Sequence, residues 1–125
     1  VQTLIVEDNK VFRQFLVELL YRHFPVMGIA EAGDGDEAWR QIQALSPDLV
    51  FMDIRLPGRN GLALTRNIKD SHPDAVVIIL TSYDLPEYQE AAREYGASFF
   101  LAKGRTSEAD ILALVRSLVA VQAGH

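Results

Sequence analysis

Five short apolar runs, four of them unbroken and each followed by a segment of helical period, constrain this chain more than any other feature. Leu4-Ile5-Val6, Leu49 to Met52, Val76 to Leu80 and Phe99 to Ala102 have strand length and no polar alternation. Such runs are expected where a strand is covered on both faces. Val26 to Ala32 is more broken and reads as an edge strand. Between the runs, Val11, Phe12, Phe15, Leu16, Leu19 and Leu20 recur at helical spacing. Ala38, Trp39, Ile42 and Leu45 do the same behind a cap at Asp34 or Asp36. A third helix around Leu64 and Ile68 is expected to end before Pro73. Pro86 suits the first turn of a fourth, running to about Tyr95. Ser107-x-x-Asp110 has capping-box spacing ahead of a fifth, with Ile111, Leu114, Val115 and Leu118 on one stripe. Five strand–helix units in succession predict an α/β fold, a doubly wound five-stranded parallel sheet with helices on both faces. Right-handed crossovers and the weak second strand favour the order 2-1-3-4-5.

Composition narrows the chemistry. The 125 residues fit one domain, and 49 % apolar residues supply a core. The absence of cysteine removes disulfides, thiolate metal sites and a cysteine nucleophile together, and fits a reducing compartment. No apolar run approaches the roughly 20 residues of a membrane span. A net charge of −5 with scattered Arg and Lys disfavours direct nucleic-acid contact and favours a cation or a cationic partner. The chain starts at Val1 without Met and shows no signal-peptide pattern, so it reads as a trimmed chain or a fragment. Gln122 to His125 read as a fraying end or the start of a linker.

The ends of the predicted strands carry the reactive residues. Strand 1 ends in Glu7 and Asp8, strand 3 in Asp53, strand 4 in Thr81 and strand 5 in Lys103. In a doubly wound sheet these ends share one edge, where ligands bind. Three carboxylates in one crevice repel and want a cation. With oxygen donors only, Mg²⁺ is the natural choice. A carboxylate beside such an ion can attack a phosphoryl group. Lys103 could then balance charge on the transferring oxygens, and Thr81 could donate a hydroxyl hydrogen bond to them. Asp8 or Asp53 alone would read more simply as a helix cap. Lys103 resists that reading, because an ammonium after a buried apolar strand needs an anionic partner.

These residues and their order resemble the receiver domain of bacterial two-component response regulators over essentially the whole chain, residues 1–125. The matching segments are Val6-Glu7-Asp8-Asn9, Met52-Asp53-Ile54-Arg55-Leu56-Pro57-Gly58-Arg59-Asn60-Gly61, Leu80-Thr81-Ser82 and Gly96 to Lys103. The resemblance implies the flavodoxin-like (βα)5 receiver fold and a cytoplasmic signalling switch, not an enzyme beyond slow self-phosphorylation and self-dephosphorylation. It implies that Asp53 accepts phosphate from a sensor histidine kinase. It implies Mg²⁺ (or Mn²⁺) bound by Glu7, Asp8, Asp53 and the backbone carbonyl of Arg55. Thr81 and Lys103 would bind the phosphoryl oxygens, and Phe100 would be the switch aromatic. The face of helix 4, strand 5 and helix 5 would be the output surface and, with helix 5 itself, a homodimer contact. Gly104 stands where many receivers have proline, which leans toward the subgroup with a C-terminal LuxR/NarL-type DNA-binding output domain. Phe100 lacks the hydroxyl of the tyrosine often found there.

Other residues carry alternatives. Arg55 and Tyr83, two positions after Asp53 and Thr81, are either solvated or tune the lifetime of the phosphate. Trp39 reads as helix packing, and His23, His72 and His125 as isolated surface or terminal residues. Pro57-Gly58 and Asn60-Gly61 mark a loop beside Asp53. Leu112 and Val119 widen the apolar face of helix 5, as core or as a contact surface. Two further functions compete with a switch. An Asp-nucleophile phosphatase needs a second Asp where Arg55 stands. A flavodoxin-like cofactor module needs a Ser/Thr/Gly-rich loop where Glu7-Asp8-Asn9-Lys10 stands.

Overall fold

A computed structural model describes residues 1–123. The elements alternate as β1 (Gln2–Val6), α1 (Lys10–His23), β2 (Gly28–Ala32), α2 (Gly35–Leu45), β3 (Leu49–Met52), α3 (Gly61–Ser71), β4 (Val76–Thr81), α4 (Pro86–Glu94), β5 (Phe99–Ala102) and α5 (Glu108–Ala123). The sheet order is β2-β1-β3-β4-β5 and every pairing is parallel, so the doubly wound α/β fold expected from the sequence is the one observed.

Alternation along the strands divides the core in two. Leu4, Val6, Val50, Met52, Val77 and Ile79 face α2, α3 and α4, where Ala38, Ile42, Leu64, Ile68 and Ala92 meet them. Ile5, Leu49, Phe51, Ile78 and Leu80 face α1 and α5, against Leu16, Leu20, Ile111 and Val115. Full burial of one such side chain contributes about 1.5–3 kcal/mol. Both layers therefore pull on the three central strands, two of which, β1 and β3, lead into the acidic residues.

The helix starts follow from their caps. Asn9 accepts from the Phe12 amide, Asp34 from Glu37 and Asn60 from Leu62. Ser107 and Asp110 form the expected reciprocal capping box, with bonds of 3.1 and 3.0 Å. Of the two cap candidates for α2, Asp34 takes the role, while Asp36 pairs with Arg59 at 3.1 Å. Asn60 is thus the first anchor of α3 as well as a loop residue.

Four expectations need correction. Val11 fits the helical period but is 81 % exposed, and Val17 joins the buried face of α1 in its place. Val26 lies before β2 and is 96 % exposed. The run Phe99 to Ala102 is as apolar as a central strand, yet β5 is the second edge of the sheet and only partly covered. Its apolar side chains still meet both layers, Phe100 on the α4 side and Leu101 on the α5 side, but as an edge strand it is incompletely covered. Gln122 and Ala123 continue α5 rather than fraying, and Gly124 and His125 lie outside the described residues. Leu112 and Val119 are partly buried against the α1–α5 layer, which supports the broad core face. Trp39 packs on the α2–α3–α4 layer, as its spacing implied. Among the described residues no helix is long and apolar enough to cross a membrane.

The two faces of α1 can be told apart by urea denaturation. Leu16→Ala should cost about 2–5 kcal/mol, and Val11→Lys should stay within about 0.5 kcal/mol of the parent chain.

Candidate functional site

Adjacent strands set the site. β1 and β3 pair with Val6 opposite Met52, so the next residues, Glu7 and Asp53, emerge side by side. Two backbone bonds extend the ladders past the last strand residues: Asp53 N–H donates to Val6 O at 3.1 Å, and Glu7 N–H donates to Ala32 O at 3.0 Å. The result brings one carboxylate oxygen each from Glu7, Asp8 and Asp53 within 4.8 Å of one another. Glu7 and Asp53 are buried, whereas Asp8 opens to solvent. On the far side, Lys103 N–H donates to Thr81 O at 2.8 Å, which carries the lysine to the same edge. Its Nζ donates to Glu7 Oε1 at 2.5 Å and to Asp53 Oδ2 at 3.2 Å. Asp53 Oδ1 accepts from the Ile54 amide at 2.7 Å.

One ammonium against three carboxylates leaves the cluster net negative. Burial pushes the Glu7 carboxyl above its ordinary value; the hydrogen bonds from Lys103 and the Asn9 amide offset only part of this, and the nearby Asp53 charge adds to it. For Lys103, burial works against the charge, but the Glu7 hydrogen bond and the Asp53 charge outweigh it and raise the ammonium above its usual range. The donor set fits a hard divalent cation: it is all oxygen, it includes an exposed carboxylate, and it carries excess negative charge.

The remaining expected residues divide between this cluster and its margins. Thr81 is fully buried at the end of β4, and its Oγ1 accepts from the Tyr83 amide at 3.3 Å. Arg55 and Tyr83 are brought together, with the guanidinium 4.4 Å from the ring centre. Arg55 also shares an open crevice with Asp8, Ile54, Leu56, Pro57, Asn60 and Tyr88. Phe100 is not part of the acidic cluster. It is half-buried on β5 and lines a groove with Pro86, Gln89 and Arg93 of α4. His23 is exposed as expected, His72 is half-buried, and His125 lies outside the described residues.

Sequence reading missed four contributors. Arg13 Nη1 donates to the Glu7 carbonyl at 2.7 Å while its Nε pairs with Glu31, which pins the turn after β1. Phe12 lies under Lys103, whose Nζ is 4.4 Å from the ring centre. Gly61 allows the start of α3 to press on the loop after β3, since a Cβ there would fall 1.9 Å from the Asp53 carbonyl oxygen. The Asn60-Gly61 pair was its only signal. Tyr88 accepts a hydrogen bond from Arg55 Nη2 at 3.3 Å, and no local pattern announced it.

Comparison with known proteins gives a consistent picture. The family described as the response regulator receiver domain matches residues 3–116. The transcriptional regulatory protein DegU of Brevibacillus brevis is 30 % identical over 99 % of this chain and 51 % of its own length. A protein-glutamate methylesterase/protein-glutamine glutaminase of Geobacter metallireducens is 38 % identical over 84 % of this chain and 30 % of its own length. The chain therefore spans about half or less of these curated relatives. A solved two-component response regulator of the LuxR family from Aurantimonas sp. SI85-9A1 shares 32 % identity with a TM-score of 0.82, covering 99 % of this chain and 86 % of that one.

Lys103→Met leaves the buried Glu7 and Asp53 without their counter-ion, and should cost about 2 kcal/mol at neutral pH. In the parent chain the raised Lys103 pKa gives a contribution present below the ordinary lysine value and lost as pH rises through the folded value. The difference between variant and parent should therefore shrink at high pH, where Lys103 is neutral, and again in acid as Glu7 protonates. Urea midpoints across the pH range check both limbs.

Proposed function

The chain belongs to the response regulator receiver domain family, a class of phosphorylation-dependent signalling modules, and from that premise we propose that Asp53 is its phosphoacceptor. The observation that carries this reading is the cluster of Glu7, Asp8 and Asp53 with a single half-buried ammonium between two of them. The donor is a phosphohistidine on a sensor histidine kinase. An Asp53 carboxylate oxygen attacks phosphorus, the P–N bond breaks, and its electron pair returns to the imidazole as an acyl phosphate forms. Glu7, Asp8, Asp53 and the backbone carbonyl of Arg55 would hold Mg²⁺ or Mn²⁺. That ion, when bound, neutralises charge on the phosphoryl oxygens.

The chain's own residues do the rest. Lys103 is already within reach of Asp53, so it can transfer its hydrogen bonds from the carboxylates to a phosphoryl oxygen. Thr81 uses its Oγ1 lone pair to accept from Tyr83, which leaves its proton to donate to the phosphate. Movement of Thr81 would be felt at Phe100, because Phe100 and Ala102 pair with Ile79 and Thr81 across β4 and β5. The face of α4, β5 and α5 would then change for a partner. That partner would be a LuxR/NarL-type DNA-binding output domain beyond this chain, or a second copy docked through this face or through α5. Transcription would be controlled through that domain in the cytoplasm, with no nucleic-acid contact by the receiver itself. Arg55 and Tyr83, stacked beside the site, would tune how long the phosphate lasts.

Incubation with a small phosphodonor should add the mass of one phosphoryl group, only when Mg²⁺ is present, and Asp53→Ala should show none. No Mg²⁺-dependent uptake by the parent chain, or undiminished uptake by Asp53→Ala, would remove this reading. Arg55→Ala and Tyr83→Ala should each change the decay rate of the phosphorylated form in a timed mass measurement. Unchanged decay in both would leave them as solvated surface residues.

A further inference from the structure

The Arg55 guanidinium is held at two points rather than one. Its carbon sits 4.4 Å from the centre of the Tyr83 ring, and its Nη2 donates to the Tyr88 hydroxyl at 3.3 Å. The two tyrosine rings pack on each other with centroids 5.8 Å apart and planes tilted by 52°. Tyr83 follows β4, and Tyr88 lies in the first turn of α4. The cluster therefore ties the loop after Asp53 to the start of α4. Arg55 and Tyr88 also line, with Asp8, one crevice of about 500 Å³ that leads to the acidic cluster.

An exposed arginine with no fixed partner samples many rotamers and shields little. A cation over an aromatic face is attracted to it, and a planar guanidinium keeps more order per hydrogen bond than an ammonium does. Here the ring sets the plane of the guanidinium and the Tyr88 hydroxyl sets where along that plane it rests. We propose that Tyr88 is a positioning residue that holds Arg55 across this crevice, where the guanidinium limits the approach of water to phosphorylated Asp53. The inference rests on Asp53 being the phosphoacceptor. In the hydrolysis concerned, a water oxygen attacks phosphorus and the bond to the Asp53 oxygen breaks. The electron pair stays on the Asp53 carboxylate, and the water protons pass to inorganic phosphate and solvent. Because Tyr88 belongs to α4, the position of that helix is then read directly by the chemistry at Asp53. A shift of α4 away from the loop after β3 releases Arg55 and shortens the life of the phosphate.

The test compares decay of the phosphorylated parent chain, Tyr88→Phe, Arg55→Ala and the double variant, with Mg²⁺ present, by intact mass. Tyr88→Phe keeps the ring and removes only the hydroxyl, so its thermal unfolding should match the parent. Its decay should be about threefold faster, at the low end of coupling between contacting residues, and this acceleration should vanish in the Arg55→Ala background. The Arg55 guanidinium resonances in NMR, displaced by the Tyr83 ring, should move toward those of a free arginine in Tyr88→Phe. Decay at the parent rate or slower in Tyr88→Phe overturns the proposal, as does an equal acceleration in the Arg55→Ala background. Failure of the parent chain to take up phosphate is a different result, and would remove the phosphoacceptor reading and this one with it.

Discussion

Three carboxylates are forced into one place by the pairing of two parallel strands, and the rest of the site is arranged around their repulsion. Glu7 and Asp53 follow paired strand residues, so neither can move away without breaking the ladder that continues into their own amides. Like charges this close disfavour the folded state unless something balances them. Lys103 supplies part of the balance from the far edge of the sheet. Arg13 and Phe12, from α1, hold the turn after β1 and the ammonium of the lysine. Gly61 lets α3 begin directly behind Asp53. The excess negative charge that remains is what makes the crevice a place for a cation.

This arrangement also explains why the fold suits a switch. The ends of β1 and β3 and the start of the loop after β5 form the cluster, the end of β4 is bonded to that loop, and each continues into a different helix. On the proposed reading, a phosphate on Asp53 would give Lys103 and Thr81 a new shared partner. Both belong to segments joined by the Lys103 amide to Thr81 carbonyl bond. Arg105 and Asp84 add a second tie between the same two loops, at 2.7 Å. On the proposed reading, these covalent and hydrogen-bonded links would carry an event at the acidic cluster toward α4, β5 and α5.

Much of this was legible in the sequence because its signals are local. Unbroken apolar runs marked the strands, the helical period marked the faces, and caps such as Asp34 and Ser107 marked the starts. The acidic and basic residues could be brought together because parallel order alone decides which strand ends are neighbours. What escaped depends on contacts between distant segments. The exposure of Val11 and Val26 depends on which neighbours the period happens to meet. The open edge at β5 is invisible in an apolar run that looks like a buried one. The pairing of Arg55 with Tyr88, 33 positions apart, follows from how α4 docks beside the loop after β3. Gly61 is informative only once the Asp53 carbonyl is known to lie against it.

If Lys103 and a divalent cation compete for the same carboxylates, Mg²⁺ titration followed on the amide signals of Asp8, Asp53 and Ile54 will show it. Lys103→Met should then bind Mg²⁺ more tightly than the parent chain, because a competing positive charge is gone, and Asp8→Ala and Asp53→Ala should bind far more weakly. Equal affinity in all four proteins, or weaker binding in Lys103→Met, would rule the competition out.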